Sequence, residues 1–192
     1  MPNEERLGPI PDPNLLRIER FDAERHDRDG FDCGVERLNN YLKRTAKKQQ
    51  ADDMTRVYVA VAEGDPASRI LGYHAIGVGS MDVAELARRP RGAPAHGDLP
   101  VLFLGQVAVA IAAQGHAIGA ILMHHVFEKA GVIAGQAGCY AIVLDVMSDG
   151  SEGAFERRRD WYARFGFAPF ASIRSRMFVT MAQVRVILEV VD

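Results

Sequence analysis

Leu104-Gly105-Gln106-Val107-Ala108-Val109-Ala110-Ile111-Ala112-Ala113-Gln114-Gly115-His116-Ala117-Ile118-Gly119-Ala120-Ile121-Leu122 is the stretch whose reading decides the fold. Val101–Val109 is apolar on both faces apart from Gly105 and Gln106, the pattern of a strand buried in the middle of a sheet. A glycine inside such a strand marks a bulge. A turn follows, and a helix begins at the small residues Gly115, Ala117, Gly119 and Ala120. Its stripe is Ile118, Ile121, Leu122, His125 and Val126, ending near Gly131. The first turn of a helix has unpaired N–H groups and about half a positive charge, and small residues let a phosphate come close to them. The run is not a P-loop: the G-K-[ST] ending is missing, and so is G-x-G-x-x-G.

Outward from this unit, Leu15–Phe21 predicts a short strand and Phe31–Gly34 a turn. Val35 to about Gln50 predicts a helix with Leu38, Tyr41, Leu42, Thr45, Ala46 and Gln49 on one face. Val57–Ala62 and Ile70–Val78 are β-branched runs separated by Gly64-Asp65-Pro66, which predicts antiparallel neighbours. Residues 79–99 read as a long polar excursion of the kind found beside binding sites. Beyond Gly131, Ala141–Val146 predicts a buried strand and Glu152–Phe165 an amphipathic helix. Phe167–Phe170 and Met177–Thr180 predict strands, and Met181–Val190 a closing helix or strand. Strands first, then strand, helix, strand, helix and strand, make an α/β fold: a mixed sheet with helices on its faces. Residues 1–14, with Pro9, Pro11 and Pro13, read as a loose leader before a single domain over 15–192.

Composition limits the function classes. With 192 residues, 48% hydrophobic and 25% charged, the chain is of globular type and long enough to bury a core without staples. Cys33 and Cys139 have no C-x-x-C spacing and predict two reduced thiols in a cytoplasmic protein. No apolar run reaches the ~18–20 residues of a membrane span, and the polar, acidic start is not that of a secretory signal. A net charge of −2 gives no global basic field, so any RNA partner would need a local basic face. No His, Cys, Asp and Glu set has metal-ligand spacing, which predicts no metal.

Gln114-Gly115-His116-Ala117-Ile118-Gly119, preceded by Val107-Ala108-Val109, resembles the pyrophosphate loop of the GNAT superfamily of acyl-CoA N-acyltransferases, [RQ]-x-x-G-x-G/A. The resemblance implies a central splayed, mostly antiparallel sheet flanked by helices. It implies acetyl-CoA as co-substrate: Val107, Ala108 and Val109 would meet the pantetheine arm and thioester through main chain. Gln114, Gly115, His116, Ala117, Ile118, Gly119 and Ala120 would cradle the phosphates. Ala117 stands where the family usually has glycine; at positive φ this costs roughly 1 kcal/mol. Trp161-Tyr162-Ala163-Arg164-Phe165-Gly166-Phe167 resembles the family's [FW]-Y-x-x-[FY]-G-F, with Gly166 as helix cap. Tyr162 then matches the phenol that protonates the departing thiolate, and Phe165 lies in the segment packing over the thiol.

Phe31-Asp32-Cys33-Gly34, followed by Leu38-Asn39, Tyr41-Leu42 and Ala46, resembles the opening of the GNAT toxins of toxin–antitoxin modules. That resemblance implies acetylation of the α-amine of aminoacyl-tRNA, a ribbon-helix-helix antitoxin as partner, and a homodimer. Asp32 would serve its turn locally. Phosphate contacts would come from Lys43, Arg44, Lys47 and Lys48, from Arg88, Arg89 and Arg91, or from Arg157–Arg159, Arg174 and Arg176, although acids near several of them offset the charge. The alternatives are an acetyltransferase for a small-molecule or protein amine, and a non-catalytic module that binds CoA or a partner. His125 reads as a packing residue on its helix stripe, His116 as exposed, and Asp145 and Asp149 as groups near the acyl site.

Overall fold

The computed structural model describes residues 15–65, 68–86, 88, 90–148 and 150–191; the leader, Pro66, Arg89 and Asp149 lie outside them. Seven strands form one sheet: β1 (Leu16–Arg20), β2 (Arg56–Ala62), β3 (Ile70–Asp82), β4 (Asp98–Val109), β5 (Ala141–Asp145), β6 (Ala168–Pro169) and β7 (Arg176–Thr180). Their order is β1-β2-β3-β4-β5-β7-β6, so the doubly apolar β4 is the middle strand, as its composition predicts. β1–β2, β2–β3, β5–β7 and β6–β7 are antiparallel; β4–β5 is parallel. The helices are α1 (Glu36–Asn40), α2 (Ala46–Ala51), α3 (Ile118–Ala137), α4 (Glu152–Ala163) and α5 (Met181–Val191). The chain groups into two compact units, residues 1–76 with 106–125, and 77–105 with 126–192.

In the first unit β1, β2 and the start of β3 pair in register, with a shift between Ala60 and Val61. The predicted helix over Val35–Gln50 is interrupted: between α1 and α2 the chain is π-helical over Tyr41–Thr45. The N–H of Ala46 reaches back five residues to the Tyr41 carbonyl. The insertion is compatible with a buried face because Tyr73, itself fully buried, donates its hydroxyl to the Leu38 carbonyl at 2.8 Å. Tyr41 stacks on the same Tyr73 ring at 6.1 Å. Leu38, Leu42 and Ala46 are buried as the stripe predicts. A helical period locates the face, but it does not reveal one extra residue in a turn.

In the second unit the polar excursion is shorter than 79–99. β3 continues to Asp82 with Met81 buried between exposed Ser80 and Asp82, and a short 3-10 turn over Val83–Glu85 follows. This alternation is the period of a strand with one wet face. Met81, Val83, Leu99, Val101, Ala141, Val143 and Phe170 form the core there. α3 runs past Gly131 to Ala137, so this glycine sits inside the helix rather than at its end; a Cβ there would make only an ordinary contact with Leu188 of α5, 3.8 Å away. α4 begins on a Ser151 side chain that accepts from the Ala154 N–H. α5 resolves the last segment as a helix.

Candidate functional site

The parallel pairing of β4 with β5 runs from Val101↔Ala141 to Leu104↔Leu144, while β4 itself continues to Val109. β5 then turns to β7, where the Val146 N–H donates to the Ser175 carbonyl. The main chain of Gln106–Val109 thus continues beyond the paired segment. On its other side it is held very close: a Cβ at Gly72 would lie 2.9 Å from the Ala108 carbonyl oxygen and 3.0 Å from Leu122. Ala110 donates to Leu71 at 2.9 Å. Gly72 is a site residue that the sequence signalled only as a glycine inside a strand, the usual mark of close backbone approach.

After Val109 the chain makes a 3-10 turn over Ile111–Ala113, then Gln114 is extended. Gly115 has φ +84° and Ala117 φ +59°, with His116 between them at ordinary φ. Residues of alternating hand turn successive N–H groups toward one concave side, a nest for an anion. α3 starts directly behind it. The amides of Ala120 and Ile121 are the donors to the Ala117 carbonyl, at 2.9 and 3.1 Å, so those of Ile118 and Gly119 stand ahead of the helical ladder. A Cβ built on Gly115 meets nothing within 4 Å, so the loop has open space beside it. Ile118 is buried and anchors the helix start; Ala117 and Ala120 are exposed. A pyrophosphate fits this chemistry: donors, helix dipole and room, with no carboxylate in the loop.

The Phe31-Asp32-Cys33-Gly34 turn is the support of this loop. Asp32 accepts from the Gly34 N–H and the Asn39 side-chain amide, each at 2.8 Å, and Asn39 accepts from the Cys33 N–H at 2.9 Å. The Gly34 N–H, then the Asn39 amide, hold the Asp32 carboxyl below its ordinary range. The turn meets the loop through the Ile111 N–H, which donates to the Asp32 carbonyl at 2.9 Å. The Gln114 side-chain amide donates to the carbonyls of Cys33 and Val109. The Gln114 side chain therefore braces the loop, while His116 is exposed and bonds back to the Gln114 carbonyl at 2.9 Å.

Tyr162 lies near the end of α4, half-buried, with Trp161 at 4.9 Å and Phe167 at 5.9 Å between ring centres. Burial pushes its phenol up to about 12, partly opposed by the charge of Arg158, so it is a protonated donor at neutral pH. Phe165 packs edge-on against Trp161 at 4.8 Å. Gly166 has φ +86° and follows the helix end, its N–H donating to the Ala163 carbonyl at 3.0 Å. The carboxylate of Asp145 is held by two hydrogen bonds from Arg176, at 2.9 and 3.0 Å. His125 hydrogen-bonds His74 at 2.8 Å and lies edge-on to Tyr58, a packing role. Cys33 and Cys139 are free thiols whose pKa values burial raises.

The basic candidates divide. Lys47 pairs with Glu24 at 2.6 Å, Arg159 with Glu156, Arg174 with Glu152 and Glu156, and Arg176 with Asp145 and Glu85. Arg158 donates to the Met147 carbonyl. Lys43, Arg44, Lys48, Arg88, Arg91 and Arg157 form no close ion pair among the described residues, although the Lys43 charge helps to lower the Asp32 carboxyl. Nor does any group of three His, Cys, Asp or Glu among them have the arrangement of a metal site.

No protein-family model matches the chain. A curated relative in Sinorhizobium fredii (strain NBRC 101917 / NGR234), "Probable toxin TacT", is 34% identical over 169 residues, spanning 88% of this chain and 92% of the relative. The chain belongs to the TacT family of GNAT toxins. Solved GNAT toxins share its fold. A tyrosine-to-phenylalanine mutant of KacT matches with TM-score 0.80 at 25% identity, over 90% of this chain and 99% of that one. The KacTA–DNA complex matches at 0.73 and 27%, over 91% and 98%. AtaT complexed with acetyl-methionyl-tRNAfMet matches at 0.78 and 22%, over 90% and 99%. The family places this chain among the acetyl-CoA-dependent N-acetyltransferases.

Proposed function

We propose that this GNAT toxin moves the acetyl group of acetyl-CoA to the α-amine of aminoacyl-tRNA and thereby blocks translation. The observation that carries the reading is the anion nest at Gly115–Ala117 set before α3, at the end of a strand whose last residues run on beyond their parallel partner. The nest and the first amides of α3 hold the pyrophosphate. The main chain of Val107 and Val109 pairs with the pantetheine arm, and the N–H of Val107 or Ala108 polarises the thioester carbonyl. The amine nitrogen attacks that carbonyl and the C–N bond forms. The C–S bond then breaks, and the thiolate takes the Tyr162 proton as the ammonium gives up one of its own to solvent. A positioned acid of this kind is worth roughly 10²–10⁴-fold in rate.

Relatives support the partners: one AtaT structure holds acetyl-CoA with the C-terminus of the antitoxin AtaR, and another holds acetyl-methionyl-tRNAfMet. For this chain the same partners are acetyl-CoA, an aminoacyl-tRNA and a small antitoxin of ribbon-helix-helix type. We also place it in the cytoplasm, where acetyl-CoA and charged tRNA meet, as a homodimer. No helix among the described residues is long and apolar enough to cross a membrane.

The test is a bacterial cell-free translation extract given the protein with and without acetyl-CoA, beside Tyr162→Phe. Inhibition that needs both acetyl-CoA and the phenol is expected, with acetyl-CoA affinity retained in the variant. Acetyl-CoA binding without any inhibition would overturn the toxin reading in favour of a small-molecule or protein amine.

A further inference from the structure

Three surface pockets differ in how their charge is balanced. One of them contains Arg20, Arg25 and Lys47 together with Glu19, Asp22 and Glu24, and Lys47 is paired within it. Another contains Arg174 together with Glu152, also paired. The pocket on the π-helical segment, of about 390 Å³, is lined by Arg37, Asn40, Tyr41, Arg44, Thr45 and Gln106 and has no carboxylate in its wall. Neither Arg37 nor Arg44 pairs with a carboxylate among the described residues. Asn40 leans on Glu36 at 3.4 Å, and the Tyr41 hydroxyl meets Thr55 at 3.3 Å. Two guanidinium groups, two amides and two hydroxyls therefore line the pocket, with a net charge of +2 and no internal counter-ion.

Arg37 of α1 and Arg44 of the π-helical segment both line this one pocket. Arg44 lies within the turn widened by the Ala46-to-Tyr41 bond, and single π-type turns inside helices are commonly found at functional sites. The guanidinium fork suits a phosphate, which it can hold with two parallel N–H bonds. Two sources could supply one: CoA or an RNA acceptor. Gln106 decides between them. It stands immediately before Val107, at the thioester end of the proposed CoA path. The pyrophosphate nest lies beyond Val109, roughly 10 Å further at the rise of a strand and then past a turn. A phosphate beside Gln106 therefore belongs to the acceptor. In an aminoacyl-tRNA, the phosphodiester nearest the reacting amine is the 5′-phosphate of the terminal nucleotide, one ribose away from the ester.

We infer that Arg37 and Arg44, with Gln106, hold this terminal phosphodiester and so bring the esterified α-amine to the thioester. The inference rests on the reading of aminoacyl-tRNA as acceptor. Arg37 lies outside the basic run at residues 43–48 and joins it only because the helix folds it over the same pocket.

The experiment measures acetylation kinetics on charged tRNA across a salt series for the full chain, Arg37→Gln, Arg44→Gln, the double variant and Arg37→Lys. Arg185→Gln, an exposed arginine on α5, is the control for charge alone. The double variant is expected to raise KM for charged tRNA roughly 10- to 100-fold with a much smaller change in kcat. The salt dependence of log kcat/KM should become shallower by about 0.7 for the lost phosphate contact. Arg37→Lys, which keeps the charge and loses the fork, should fall between. The acetyl-CoA dissociation constant should stay as in the parent. Unchanged KM and salt slope in the double variant overturn the inference alone. A rise in the acetyl-CoA constant that accounts for the loss assigns the pocket to CoA phosphates and also overturns it. Loss of binding to an acidic antitoxin peptide, with KM intact, overturns it in favour of a protein ligand. A parent chain that leaves charged tRNA unacetylated overturns the acceptor reading, and this one with it.

Discussion

The side-chain amide of Gln114 donates to the carbonyl of Cys33 at 3.3 Å while it also donates to Val109 at 3.1 Å. One carboxamide thus closes the loop on its own strand and fastens it to the Phe31–Gly34 turn, far away in sequence. The residue that opens the family's pyrophosphate motif holds the loop's shape here, and the amides behind it are the ones we propose for the pyrophosphate.

Gln114→Ala removes both donors and leaves the nest with less support. Neutral hydrogen bonds of this kind contribute about 1 kcal/mol. Acetyl-CoA affinity, measured by titration calorimetry, should weaken roughly 3- to 10-fold. Gln114→Glu should be worse than alanine, since a carboxylate cannot donate to either carbonyl and adds negative charge beside a phosphate site. Equal affinity in all three proteins would show that the brace does not reach the ligand.

Ala117 holds φ +59°, the region in which an L-residue pays for its Cβ, at the position the family gives to glycine. The strain is about 1–2 kcal/mol, and glycine's looser unfolded chain returns part of it. Ala117→Gly should therefore stabilise the protein by up to about 1 kcal/mol in thermal melts, with acetyl-CoA binding equal or tighter. Because Ala117 is exposed, no core contact is lost to confuse the comparison. A less stable Ala117→Gly protein would mean that the loop does not hold this conformation in solution.

Those two residues also show what the sequence could and could not tell. The strand, the turn and the start of the helix, from Val101 to about Gly131, are legible because each obeys a local rule: an apolar run, small residues, then a helical stripe. The sign of φ at Ala117 is not, since it is set by how the loop joins β4 to α3. Gly131 reads as a helix end in the sequence, yet α3 runs through it to Ala137, because one glycine inside a helix weakens it without ending it. The polar composition of 79–99 hides the end of β3 at Asp82, because one buried residue between two polar ones, Met81, is a weak strand signal. The π segment at Tyr41–Thr45 depends on a tyrosine from β3, Tyr73, and no reading of the helix alone contains it. Gln114, finally, was legible as a motif residue, but its side-chain partners could be seen only in three dimensions.

Asp32 gives a pH-dependent test of the same support. Its carboxyl is held below the ordinary aspartate value, about 3.9, first by the Gly34 N–H and then by the Asn39 amide. A carboxylate with a depressed folded pKa stabilises the protein above its unfolded pKa, and that contribution is lost as pH falls through the folded value. At neutral pH, Asp32→Ala should cost about 1–2 kcal/mol, since two donors lose their acceptor. Asp32→Asn, which keeps one accepting oxygen, should cost about 0.5–1 kcal/mol. The gap between the parent and Asp32→Asn should be flat from about pH 7 to pH 5 and shrink below that, as the parent's carboxyl takes up its proton. Because the Asp32 carbonyl also accepts from Ile111, the alanine variant should lose acetyl-CoA affinity along with stability. Denaturant melts across that pH range, read beside calorimetry at neutral pH, measure both. A gap that persists unchanged well below the ordinary aspartate range would mean that the Asp32 carboxylate is not what the Gly34 and Asn39 donors hold.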